Sequence, residues 1–221
     1  MTHIGLIGGI GPAATVTYYQ RLVDAFRTAE QPLSLTISHA QIEVLAKHAA
    51  ADDRAAQADV FAQHLDALKA AGCDVALITA LTGHFCIEET KALSPLELVD
   101  GVDVIDRYCA ELGIKTLGLL GSPPVMSTHL FGMMHKVETV VPSKGLDDLG
   151  QAYMEVAKSG TCDDSQRRQF LDAATSMIDS QGAEAILLAG TDLGLAFDGQ
   201  ALPYRVIDAV EVHVEELVRH A

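Results

Sequence analysis

Short apolar runs alternate along the chain with longer stretches whose hydrophobic side chains recur at helical spacing. That alternation predicts βαβ units built around parallel sheets. The runs Ile4–Ile7, Leu33–Ser38, Val75–Thr79, Leu96–Val99, Thr116–Leu120, Val137–Val141, Ala185–Leu188 and Tyr204–Ile207 read as buried strands. Helices are predicted over Ala13–Thr28, Asp53–Ala71, Val102–Leu112, Leu146–Lys158, Asp164–Gln181 and Ala209–Arg219. Asp52 and Asp53 favour a helix start before Arg54, where a carboxylate can accept the unpaired amides of a first turn. Gly72, Gly113 and Gly182 follow apolar stretches at points where a C-terminal turn favours positive φ.

Leu93-Ser94-Pro95 and the stretch around Pro203 are the best connections between lobes. They divide the chain into a first lobe over residues 1–97 with 206–221 and a second over 98–205. Each lobe contains an apolar strand ending in a small, polar turn: Leu77-Ile78-Thr79-Ala80-Leu81-Thr82 and Leu187-Leu188-Ala189-Gly190-Thr191-Asp192. If two such lobes face one another about a pseudo-twofold axis, both strand ends enter one cleft, where open parallel sheets bind ligands. The expected fold class is therefore α/β, with two pseudo-symmetric lobes, each a parallel sheet flanked by helices, and the site in the cleft between them.

Composition narrows the function classes. Fifteen basic residues against thirty acidic ones leave a formal net charge of −15, which repels phosphate backbones and anionic headgroups. Nucleic-acid and membrane partners are not expected, and a site for a carboxylate needs local donors. The four cysteines, Cys73, Cys86, Cys109 and Cys162, form no C-x-x-C pair and no Cys/His cluster, so neither a disulfide scaffold nor a metal site is indicated. The N-terminus runs directly into a strand without the pattern of a signal peptide, and no apolar run approaches the roughly 18 to 20 residues of a membrane helix. A cytoplasmic protein is expected.

Gly8-Gly9-Ile10-Gly11-Pro12-Ala13-Ala14-Thr15 follows a strand and opens a helix, a place where backbone N–H groups and the positive helix end can hold a carboxylate or phosphate. It departs from a dinucleotide fingerprint: Pro12 follows Gly11, Ala14 stands where the last glycine would be, and His39 rather than an acid ends the second strand. A tight turn with Pro12 in the first helical turn explains the segment equally well.

In order along the chain, these features resemble the aspartate/glutamate racemase family. The glycine turn is followed by the polar strand end at His39. Thr79-Ala80-Leu81-Thr82-Gly83-His84 then stands where the family has Pro-Cys-Asn-Thr-x-His. Gly121-Ser122, with Ser127 and Thr128 beyond, is similar to a strand-Gly-Thr/Ser turn, and Lys158-Ser159-Gly160 to a helix ending in Lys-x-Gly. Ala189-Gly190-Thr191-Asp192 stands where the family has Gly-Cys-Thr-Glu. The resemblance implies a cofactor-independent isomerase, a small amino or carboxylic acid ligand, a homodimer, and two cysteines that move a proton across the α-carbon. Ala80 and Gly190 occupy those two cysteine positions and Leu81 that of the adjacent Asn, so fold and ligand class transfer while the two-thiol reaction does not.

Around the vacated positions lie Thr82, His84 and Cys86 on one side, and Thr191 and Asp192 on the other. His84 titrates near neutral pH and is a candidate general acid or base; a structural hydrogen bond is the alternative. Cys86 is a candidate replacement thiol or a packed core residue, and Asp192 a proton-transfer group or a loop cap. Gly9, Gly11, His39, Ala80, Leu81, Ser122, Ser127, Thr128, Lys158, Gly190 and Thr191 are expected to line the ligand. The alternatives are helix capping for the hydroxyls and solvation for the lysine. Two functions follow: an isomerase-like enzyme working through His84, Asp192, Cys86 or hydroxyl groups, or an inactive protein that binds or senses a small carboxylate.

Overall fold

The structure is a computed structural model that describes residues 1–220. It divides into two compact units. The first comprises Met1–Gly101 together with the chain from His213 onward, and the second Val102–Val212. Each unit is built on one parallel, four-stranded sheet.

In the first unit the order is β1 (His3–Gly8), α1 (Pro12–Thr28), β2 (Ser34–His39), α2 (Ile42–Ala50), α3 (Arg54–Ala70), β3 (Val75–Ile78), a 3₁₀ turn (Leu81–Cys86), α4 (Ile87–Leu93) and β4 (Glu97–Val99). The second continues with α5 (Gly101–Glu111), β5 (Thr116–Gly121), α6 (Pro123–Ser127), β6 (Glu138–Val140), α7 (Leu146–Ser159), α8 (Asp164–Gln181), β7 (Ala185–Ala189), α9 (Gly194–Phe197) and β8 (Arg205–Asp208). The final helix, α10 (Ala209–Arg219), begins in the second unit, and its residues from His213 on belong to the first.

Strand order is β2-β1-β3-β4 in one sheet and β6-β5-β7-β8 in the other, the same winding twice. The central strands are sealed on both faces: β3 and β7 are buried throughout, and β1 and β5 at every residue but the first. Continuous apolar runs without polar alternation are what such parallel strands require. The edge strands β2, β4, β6 and β8 are only partly covered. In each sheet the chain reverses its winding direction between the two central strands, so the open end lies past Gly8 and Ile78 in one and past Gly121 and Ala189 in the other.

All eight expected strands and all six expected helices are present, with ends displaced by a residue or two. Asp53 caps α3 by accepting the Ala56 N–H at 3.1 Å. Asp163 forms a reciprocal capping box with Gln166 at the start of α8. Residues 98–101 lie in the first unit and 206–212 in the second, the reverse of the expected allocation. For β8 the reason is its pairing with β7, Ile207 opposite Leu187. The added helices are short. α2 spans nine residues and buries only Leu45, too short an element for the sequence alone to separate it from the loop after β2.

Candidate functional site

The strand ends of the first unit are closed by a dense turn. Gly9 adopts φ +86°, and a Cβ there would run into the Ala40 carbonyl and meet the His39 ring at 2.7 Å, so only glycine fits beside that strand end. Its N–H donates to Thr15 Oγ1 at 2.9 Å; Thr15 Oγ1 lies 3.4 Å from Thr79 Oγ1, which donates to the Ile7 carbonyl at 3.0 Å. Gly9, His39 and the end of β3 are therefore brought together, while the Gly9 amide proposed for an anion is already bonded to Thr15. Gly11 follows at φ +93°, with Pro12 opening α1.

Past Thr79 the backbone runs through half-buried Ala80 into the 3₁₀ turn, which buries Leu81, Gly83, His84, Phe85 and Cys86 and leaves Thr82 half-buried. The imidazole of His84 is fully enclosed. The Gly101 N–H donates to its Nε2 at 3.0 Å, which puts the ring proton on Nδ1, and Nδ1 donates to the Ala80 carbonyl at 3.1 Å. Burial holds its pKa below the ordinary histidine value. With both nitrogens bonded inside the unit, His84 has none left for a ligand, and the structure favours the structural role over the acid–base one.

The same residue, Gly101, is gripped through its carbonyl as well. His213 Nε2 donates to the Gly101 carbonyl at 2.9 Å, and His213 Nδ1 accepts from the Tyr18 hydroxyl at 2.6 Å. Burial, with His84 as the next cause, pushes His213 down to about 4. This chain of Tyr18, His213, Gly101 and His84 links α1, α10 and the turn after β3 within the first unit.

Cys86 does not restore a reactive thiol. It is fully buried, its Sγ 3.6 Å from both the Gly83 carbonyl and Thr90 Oγ1. Burial raises its pKa to about 11, which keeps it as an unreactive thiol at neutral pH.

In the second unit, Gly121 ends β5 and Ser122 follows it, and Gly190, Thr191 and Asp192 follow β7. Asp192 is half-buried; loss of solvent raises its pKa, opposed by a hydrogen bond from Thr191 Oγ1 at 3.4 Å. The hydroxyls beyond β5 are engaged locally. Thr128 Oγ1 donates to the Pro124 carbonyl at 2.6 Å and accepts the Phe131 N–H at 2.9 Å, and Ser127 Oγ lies 3.5 Å from the same carbonyl. These two close a turn, as capping residues do. Lys158 stands exposed in the last turn of α7.

Sequence reasoning missed Tyr153. The inner face of α7, formed by Leu149, Ala152, Tyr153 and Val156, packs into the core of the second unit. The Tyr153 ring lies directly over Gly190, so close that a Cβ at 190 would overlap both hydroxyl and ring. In the sequence Tyr153 is one more apolar position on an amphipathic helix.

Two parallel four-stranded sheets of the same strand order, with polar turns at their open strand ends, define a class of α/β proteins. A profile of the Asp/Glu/Hydantoin racemase family matches residues 7–217, and the chain belongs to that family. Its fold is similar to that of an aspartate racemase homologue from Pyrococcus horikoshii OT3, with TM-score 0.85 and 21% identity over 100% of this chain and 99% of that one. An aspartate racemase from Picrophilus torridus aligns with TM-score 0.78 and 18% identity over 100% and 94%. A glutamate racemase from Francisella tularensis, solved with D-glutamate, aligns with TM-score 0.68 and 12% identity over 99% and 80%.

Proposed function

We propose that this chain is a cofactor-independent, isomerase-like family member that takes a small amino or carboxylic acid at its open strand ends without the two-thiol reaction. The observation that carries the reading is the chemistry of positions 80 and 190. Ala80 and Gly190 bear no proton-transfer group, Tyr153 fills the space over Gly190, and the nearby Cys86 is sealed as a neutral thiol. Asp192 is a half-buried acid just past the end of β7, and its raised affinity for a proton suits it to general acid–base work. A second reading, a catalytically silent carboxylate-binding protein, is supported by the fully bonded ring of His84.

One experiment separates them. The D- and L-forms of aspartate and glutamate, with succinate, are incubated with the protein in D₂O, and α-deuterium incorporation is followed by NMR beside thermal melting. Exchange supports the isomerase-like reading. Ligand-induced stabilisation without exchange supports the silent binder. Neither response across the panel overturns both. The reading carries with it a cytoplasmic location, supported by cysteines that are all free. No helix among the described residues is long and apolar enough to cross a membrane. It also carries assembly as a homodimer, which sedimentation velocity tests and a purely monomeric boundary would refute.

A further inference from the structure

Among the side chains at the two open strand ends, Tyr153 combines burial, proximity and an unused polar atom. Only 9% of the residue is exposed, and Leu149, Ala152 and Val156 on the same helix face hold the ring against the core. Its hydroxyl forms no hydrogen bond with any other described residue. Nor is it one of the sealed, unsatisfied polar atoms among the described residues, which are Glu89 Oε2, Arg167 Nε, Gln181 Nε2 and Tyr204 Oη. A phenol placed this way, with no partner inside the protein, is matched to an acceptor that arrives from outside.

The position also explains why residue 190 is glycine. Gly190 has φ −157°, an extended conformation open to any residue, so its backbone does not call for glycine. The steric demand comes from Tyr153, whose ring passes through the volume that any side chain at 190 would occupy. Gly190 and Tyr153 thus form a size-complementary pair in which a polar group delivered by a helix occupies the space of one delivered by the strand end. Burial first, and then the charge of Asp192, raise the phenol's pKa, so it remains an O–H donor through the neutral range.

We propose that Tyr153 is a ligand-recognition residue, its phenolic O–H donating to the carboxylate of a small α-amino acid held at the ends of β5 and β7, with Asp192 accepting from the ammonium group. This deepens the function proposed above and rests on it. A donor and an acid side by side match a zwitterion, whereas a plain dicarboxylate leaves Asp192 facing like charge. No covalent or proton-transfer step is required of Tyr153.

The test uses the full chain and calorimetric titration with L-aspartate, D-aspartate, L-glutamate, D-glutamate and succinate. The wild type is expected to bind at least one amino acid more tightly than succinate. Tyr153→Phe keeps the ring and removes the donor, and it is expected to weaken that amino acid about tenfold, equivalent to about 1.4 kcal/mol, with the melting temperature held. If Tyr153→Phe does not fold, ¹³C,¹⁵N labelling of the wild type replaces it. The Tyr153 resonance, assigned in the wild type by through-bond correlation to its own backbone, is then expected to shift on titration with the same amino acid. A wild type that binds none of the five overturns the function proposed above. A wild type that binds, with Tyr153→Phe within twofold or an unmoved Tyr153 resonance, overturns this inference alone.

Discussion

A side chain's chemistry here depends on which way the turn after its strand carries it. His84 and Cys86 stand within six residues of Ala80, and both are turned inward by the 3₁₀ turn, one bonded on both nitrogens and the other packed against Thr90. Thiol reactivity provides a direct check. Burial raises all four thiols, Cys86 to about 11 and Cys109 to about 12, and Cys162 alone among them is half-exposed. Native protein treated with a chromogenic disulfide reagent at pH 7 should release one fast equivalent, from Cys162, and the other three only on unfolding. Fast labelling of Cys86 would contradict the packing described for it. The residue types at these positions were legible in the sequence, including Ala80 and Gly190, neither of which carries sulfur. Their directions were not, because a few residues of loop can present the same side chain to solvent or to the core.

Among the elements, the segment leading into β6 depends on a contact from far along the chain. Asp106 on α5 is 2% exposed and accepts the N–H groups of His135 at 2.9 Å, Lys136 at 3.0 Å and Val137 at 3.1 Å. Just before them, His129, Leu130 and Phe131 take positive φ values of 52°, 54° and 59°, each costing about 1–2 kcal/mol for a residue with a Cβ. Asp106→Ala would leave three amides without their acceptor, and we expect a loss of about 2–4 kcal/mol in urea unfolding, with a smaller loss for Asp106→Asn. An Ala variant within about 0.5 kcal/mol of wild type would show that this carboxylate does not hold the segment. Periodicity located α5 and β6 because both signals are local. It could not find the cap, since an aspartate on an amphipathic helix gives no sign of amides some thirty residues away.

For the molecule as a whole, the buried histidines give stability a pH dependence of definite sign. His213 has a folded-state pKa of about 4 against an ordinary 6.5, and His84 is shifted in the same direction. Between those values the unfolded chain binds more protons than the folded one, so stability is fully present above pH 6.5 and is lost as pH falls toward 4. For His213 the loss is on the order of 3 kcal/mol. The net charge of −15 acts in the opposite direction, because protonating surface carboxylates relieves self-repulsion. Salt separates the two, since it screens exposed charges far more than buried rings. In about 0.5 M salt the melting temperature should fall by several degrees between pH 7 and pH 5, and a flat profile would refute the buried Tyr18–His213–Gly101–His84 chain. The sequence by itself determined the alternation of strands and helices, the repeated strand-and-turn rhythm of two lobes, the family, and the absence of sulfur at positions 80 and 190. All of these are written in residue identity, in short continuous apolar runs or in a period of 3.6 along the chain. Only the tertiary structure decided that His84 and Cys86 face inward and that Tyr153 lies over Gly190. Those outcomes depend on which distant segments share the same space, and such proximity is set by packing rather than by local order.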